Sequence, residues 1–297
     1  MGLRDFFLLM AMCLIWASNN IVSKIVVSDM MVPPLFYAAV RFAIVAALTL
    51  PWLLPAPRPL WRMIIIAQLI GGLNFALIFI GFQTASPSAA SIIVQLGVPM
   101  TTVLSMVMLG EKVRWRRGVG MALTLAGAVL VMWHPAGLSL SLGLWLIAGA
   151  ALAGSLGAVM MKQMEGVKPL QFQAWVGFSA IWPLAGMTAV FEHDQIAIAF
   201  QAGWPFLAAV LYSALIVSII AHTVYYHLIQ KYEATLISPL TLMTPLATIV
   251  MGVLITKDYF DLRMGIGAAL ALLGVLIVAL RPNHVMPLLM AIRNRAQ

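Results

Sequence analysis

Read for apolar and polar positions, the chain is a succession of long apolar runs separated by short polar punctuation. The runs cover approximately residues 6–28, 34–54, 62–83, 87–109, 115–133, 141–162, 169–191, 203–229, 235–256 and 262–280. Most are near the ~20 residues a helix needs to cross the hydrocarbon core. The breaks carry turn chemistry or charge: Pro33-Pro34, Pro55 to Pro59, Ser86-Pro87, Glu111 to Arg117, His134-Pro135, Glu165 to Pro169, Glu192 to Asp194, Lys231 to Glu233, and Lys257 to Arg263. The pattern predicts an all-α polytopic membrane protein with ten transmembrane helices. The first run follows the basic Arg4 but is too long for a signal peptide and lacks a small-residue cleavage site, so an uncleaved first span is expected.

One pattern occurs twice. Place Glu111 over Asp258, and Gly118, Gly120, Ala122 and Gly127 fall on Gly265, Gly267, Ala269 and Gly274. With a one-residue slip upstream, Pro99 falls on Pro245. Each copy is an apolar run with an internal proline, a charged turn and a Gly/Ala-studded apolar run. A hairpin recurring in each half is a build used by transporters. Five spans per half is an odd number, so the halves should cross the membrane in opposite directions, as inverted-topology five-helix repeats. The expected division is 1–138, 139–281 and a short basic tail, 282–297.

Composition narrows the class. The chain has 297 residues, 63% of them hydrophobic and 9% charged, with a mean hydropathy of +1.03. An ordinary soluble domain carries about 25% charged residues. The net charge of +8 does not point to nucleic acid, because the basic residues sit in short turns. With the N-terminus in the cytoplasm, the inner loops hold Arg4, Arg58, Arg62, Lys112, Arg114, Arg116, Arg117, Lys162, Lys168, Lys231, Arg281, Arg293 and Arg295. The outer loops hold only Lys257 and Arg263. Lys/Arg asymmetry sets orientation, so both termini are expected in the cytoplasm and the chain in a plasma (bacterial inner) membrane. Cys13, the only cysteine, excludes an intramolecular disulfide and is expected as a small core residue.

Candidate chemistry is neutral. All nine acids lie at span ends or in loops, so no intramembrane carboxylate is available to carry a proton or cation. No metal-ligand, Walker or nucleophile-elbow motif appears, and neither an enzyme nor a cofactor is expected. Polar residues do recur at helical spacing: Trp16, Asn19, Asn20 and Ser23; Gly71, Asn74 and Gly81; Ser88, Ser91, Gln95 and Thr102; Trp175, Ser179 and Trp182; Ser218, His222, Tyr225 and Tyr226. Lipid satisfies none of them, so these faces should point into the bundle, either lining a substrate cavity or serving as interhelical glue. Trp16, Asn19, Asn20, Asn74, Gln95, Trp175, Trp182, His222, Tyr225 and Tyr226 are the candidate substrate-binding residues. Pro99 and Pro245 are candidate gating bends, with static kinks as the other reading. Lys24, near a span end, can snorkel or anchor charge. Arg41, about two turns into its span, can grip a substrate carboxylate or hold a structural partner, the second being the default.

Trp16 to Asn19 with Lys24 shortly after, Arg41-Phe42, Ala90 to Pro99, Gly110-Glu111 and Tyr232 to Pro239 together resemble the signatures of EamA-type carriers of the drug/metabolite transporter superfamily. The likeness runs along essentially the whole chain and is greatest to bacterial exporters of amino acids and related metabolites. It implies two inverted five-helix repeats around a central cavity, with the fifth and tenth helices peripheral. The expected cargo is a small polar or zwitterionic metabolite, and a monomer in the lipid bilayer is compatible with the pattern. Three other readings stay open: a multidrug carrier, which should need a cavity acid; a nucleotide-sugar carrier, which should need several deep cations; and a non-transporting receptor or assembly partner, which should have a dry core. Proton coupling through His222, exchange and facilitated diffusion are equally open.

Reporter fusions test the orientation. Fluorescent protein fused after Lys231 or Gln297 should fluoresce, and a periplasm-dependent phosphatase should be active only when placed near Glu192 or Asp258. The reverse pattern overturns the assignment.

Overall fold

The computed structural model describes residues 2–110, 115–132, 141–161, 163–164, 166–232 and 240–279. The Glu111 turn, most of the Tyr232 to Pro239 motif and the tail after residue 281 therefore lie outside the described residues. Among those described, all regular structure is helical. The elements in chain order are α1 (Leu3–Asp29), α2 (Pro34–Leu53), α3 (Leu60–Gly81), α4 (Pro87–Leu109), α5 (Trp115–Met132), α6 (Leu142–Met161), α7 (Pro169–Phe191), α8 (195–231), α9 (Met243–Ile255) and α10 (Leu262–Ala279). Seven are long and apolar enough to cross a membrane; α5, α9 and α10 are shorter apolar helices.

The ends follow local chemistry. Proline opens α2, α4 and α7 at the first turn, where its missing N–H costs nothing. Gly110, at φ +68°, closes α4 in the left-handed conformation. The expected start at 203 in α8 appears as a break: Gly203 takes φ 61°, ψ −143°, open in practice only to glycine, and Pro205 follows. Residues 195–202 form a short helical stretch before it. The described acids sit at helix ends or in the loops beside them. Glu192, after α7, accepts the first free N–H groups of α2, from Leu35 and Phe36, each at 2.8 Å. Asp258, after α9, accepts from Ser88 N at the start of α4 at 2.9 Å. At the opposite ends of α1 and α8, Asp5 holds Lys231 at 2.6 Å.

The helix pairs obey a simple exchange rule. α5 lies antiparallel on α10, with Gly120 against Gly274 and Gly127 against Gly267. A Cβ at Gly127 would stand 2.4 Å from Gly267 O, and one at Gly274 2.5 Å from Gly120 O. In the sequence repeat Gly120 matches Gly267 and Gly127 matches Gly274, so each contact maps onto the other, as in an isologous interface. The same exchange carries α1–α9 onto α6–α4, α3–α6 onto α8–α1 and α3–α7 onto α8–α2, and all these pairs are in contact. The main apolar core draws on α1 to α8 and α10, among them Val26, Phe42, Phe79, Ile147, Val176 and Ala271; a smaller cluster joins Leu9, Met12 and the buried Cys13 to Ala221 and Leu228.

The 3.6-residue period misses part of the design. α1, α3 and α8 contain π-helical segments at Ile25–Asp29, Gln68–Leu73 and Tyr212–Ala221. The internal prolines also differ from one another. Before Pro99 the helix tightens to a 3₁₀ turn at Val94–Leu96, around the Gln95 carbonyl that proline cannot serve. Pro245 follows a turn at Leu242, its counterpart position in the repeat. α7 instead runs uninterrupted through Pro183, and the carbonyl this orphans, Ser179 O, accepts the Gln68 side-chain amide from α3 at 2.5 Å.

Gln68→Leu should therefore cost about 1–2 kcal/mol in denaturant titrations of the purified protein. In a Pro183→Ala background, where a backbone N–H can serve Ser179 O, the same change should cost markedly less. Equal costs in both backgrounds would show that the proline has no part in the contact.

Candidate functional site

A polar network joins α1, α2 and α8 within the bundle. Tyr37 and Arg41 lie one turn apart on α2 and are both fully buried. The Tyr37 hydroxyl donates to Ser213 Oγ at 2.5 Å, and Ser213 Oγ donates to Asn19 Oδ1 at 2.8 Å. Arg41 Nε donates to Ser218 Oγ at 3.0 Å, and Ser218 Oγ donates to Ser213 O at 3.0 Å. The last bond spans five residues, as does the 2.8 Å contact of His222 Nδ1 with Val217 O. Both follow from the wide turn of the π segment, a feature that often marks functional sites.

Aromatic rings flank the network. The Arg41 guanidinium lies 4.4 Å over the Phe75 ring and 5.9 Å from those of Phe42 and Phe79. One turn past Ser218, His222 meets Trp16 at 5.3 Å between ring centroids, and Trp16 meets Tyr225 at 5.1 Å. Trp16 Nε1 and Arg41 Nη1 and Nη2 are buried without a hydrogen-bond partner. The groups gathered here are hydrogen-bond donors and ring faces, the contacts by which proteins orient small polar molecules. Among the described residues no cluster of His, Cys, Asp and Glu could hold a metal.

The EamA-like transporter family profile matches residues 4–133 and, again, 141–280. The chain belongs to the EamA-like transporter family. This is a multi-pass membrane transporter of the drug/metabolite type, and no enzyme. Similar proteins include a "probable amino-acid metabolite efflux pump" of Escherichia coli strain K12, 23% identical and aligned over 93% of this chain and 95% of its own. Its namesake in Salmonella typhimurium is also 23% identical over the same shares. The "uncharacterized inner membrane transporter YedA" of E. coli strain K12 is 29% identical over 83% of this chain and 81% of its own. A protein crystal structure shares the fold, with a TM-score of 0.61 and 19% identity, covering 93% of this chain and 96% of that one.

Within this EamA-like bundle the sequence-derived candidates separate. Trp16, Asn19, Arg41, His222 and Tyr225 converge on the seam of α1, α2 and α8. Asn20 lies on α1 beside them but turns to α9, where it meets Thr248 Oγ1 at 3.3 Å. Asn74 donates to Ala150 O at 2.6 Å and ties α3 to α6. Lys24 donates to Phe82 O at 2.7 Å, beyond the end of α3. Trp175 is buried and donates to Leu53 O at 3.1 Å, docking the end of α2. Trp182 is 67% exposed and contacts the Phe178 ring. It stands apart from Trp175 because α7 is deeply packed only as far as Ala180; beyond it, Leu184 and Thr188 alone are buried. Gln95 is half-buried on the 3₁₀ turn before Pro99. Pro245 is buried at the start of α9. The side chain of Tyr226 lies outside the described set.

Sequence periodicity did not single out Tyr37, Ser213 or Phe75. Tyr37 could have been found as the i−4 partner of Arg41. Ser213 could not, because its five-residue offset from Ser218 puts the two on different faces of an ordinary α-helix.

Ser213→Ala should leave the Tyr37 hydroxyl buried without an acceptor, at a cost of about 1–3 kcal/mol. Thermal unfolding of the purified variant measures this. An unchanged midpoint would mean the network carries no structural weight.

Proposed function

We propose that this transporter is a secondary carrier that exports small polar metabolites, amino acids or their derivatives, by alternating access. The observation carrying the reading is the seam. Asn19 and Arg41 come from the first family-matched segment and Ser213, Ser218 and His222 from the second, and they meet in one buried, hydrogen-bonding, ring-flanked cluster. Transporters built from inverted repeats place their substrate site between the repeats near the midplane. The printed names of the E. coli and Salmonella relatives favour amino-acid metabolites as cargo.

In this reading the chain crosses a bacterial inner membrane ten times. Residues 1–138 and 139–281 are the two inverted five-helix repeats, and the basic tail 282–297 lies in the cytoplasm with the N-terminus. The exchange rule among the helix pairs supports the repeats. The helix breaks next to Pro99 and Pro245 are the points where α4 and α9 bend as access alternates. No cofactor or partner subunit is required.

Purified protein in liposomes preloaded with unlabelled amino acids should accumulate labelled amino acid by counterflow, saturably and with at least one member of the set. Folded protein that moves none of them, nor any other neutral polar metabolite, would overturn the proposal.

A further inference from the structure

A guanidinium carries five N–H donors in a fixed fork, and in Arg41 only the one on Nε is engaged. It is 0% exposed, and Nε donates to Ser218 Oγ at 3.0 Å. Nη1 and Nη2 have no hydrogen-bond partner, and among the described residues no carboxylate pairs with Arg41. The Phe75, Phe42 and Phe79 rings offset part of its charge. Ring faces do not accept the in-plane N–H groups of the fork. A buried charge with open donors is among the costliest arrangements in a protein interior and calls for a partner.

The missing partner has a definite chemistry. Three N–H-bearing nitrogens at the seam are buried and open: Arg41 Nη1, Arg41 Nη2 and Trp16 Nε1. The complement must accept hydrogen bonds and carry negative charge. A carboxylate does both and matches the guanidinium fork in two parallel bonds. A phosphoryl dianion would call for a second cation, and Lys24, the other cation set more than one turn inside a described helix, donates to Phe82 O at 2.7 Å. Building on the export reading, we propose that the Nη1–Nη2 fork of Arg41 receives the carboxylate of the cargo and makes a free carboxylate a condition of transport. Lys24, whose ammonium caps the carbonyl of Phe82 beyond the end of α3, is not part of this fork.

The site is tested apart from transport. Thermal unfolding of the purified full-length protein is followed with phenylacetate and, as its neutral match, phenylacetamide, at constant ionic strength. Phenylacetate should raise the midpoint, phenylacetamide should not, and Arg41→Met should abolish the shift while Arg41→Lys keeps part of it. Arg41→Met replaces an open charge with an apolar chain and should fold; should it not, Arg41→Gln serves. No shift with phenylacetate, equal shifts with both compounds, or an undiminished shift in the folded variant would overturn the proposal. In liposomes, any amino acid that the wild type moves should be at least ~10-fold better as a competitor than its own carboxamide, a preference lost in Arg41→Met. A carboxylate-dependent shift without flux of any amino acid or other neutral polar metabolite would leave the site standing and sink the export reading.

Discussion

Ser179 O, orphaned by Pro183 and taken up by Gln68 at 2.5 Å, shows the constraint under which the whole bundle is built. Hydrocarbon supplies no hydrogen bonds, so every interruption of a helical ladder needs a partner from elsewhere in the protein. The same solution recurs. Phe82 O receives both Lys24 and Ser28, Leu53 O receives Trp175, and the first N–H groups of α2 and α4 meet Glu192 and Asp258. Each of these bonds joins two helical segments distant in the chain. Singly they are worth little, about 0.6 kcal/mol on average. Their greater effect is to forbid arrangements in which the group would face lipid alone.

Glycine supplies the complementary device. Where α5 meets α10, Gly120, Gly127, Gly267 and Gly274 remove the side chains that would hold the backbones apart, and close packing replaces hydrogen bonding as the source of attraction. The symmetric exchange of these contacts leaves little freedom for the two helices to slide. The seam of α1, α2 and α8 is different in kind. It is built on a π segment, its polar groups are linked in a directed relay, and the terminal nitrogens of its arginine have no partner. At this seam the guanidinium fork of Arg41 stays buried and open, whereas Lys24, Gln68 and Trp175 are each used to cap a backbone carbonyl.

The apolar runs, their charged or proline-marked ends and the duplicated Gly-x-Gly pattern were all legible along the chain. They depend on one variable, the cost of placing a given side chain in hydrocarbon, which acts residue by residue and so leaves its trace in order. The spans at 87–109 and 169–191 coincide with the helices found, and the terminal placement of Glu192 and Asp258 followed from the same rule. The clustering of Trp16, Asn19 and His222 was legible only as a set of inward faces. Asn74 and Trp182 belonged to that set on equal grounds, yet one braces α6 and the other stands largely exposed.

The amino-acid order thus decided which stretches enter the membrane, where each stops, and that the molecule is made of two similar parts. Tertiary structure alone decided which polar groups are used up as braces and which are left open. That outcome depends on how each helix is rotated and on local departures from 3.6 residues per turn, such as the segment Tyr212–Ala221 that brings Ser213 and Ser218 together. Rotation and π-turns are set by the sum of many contacts between distant segments, so no single stretch of sequence carries them.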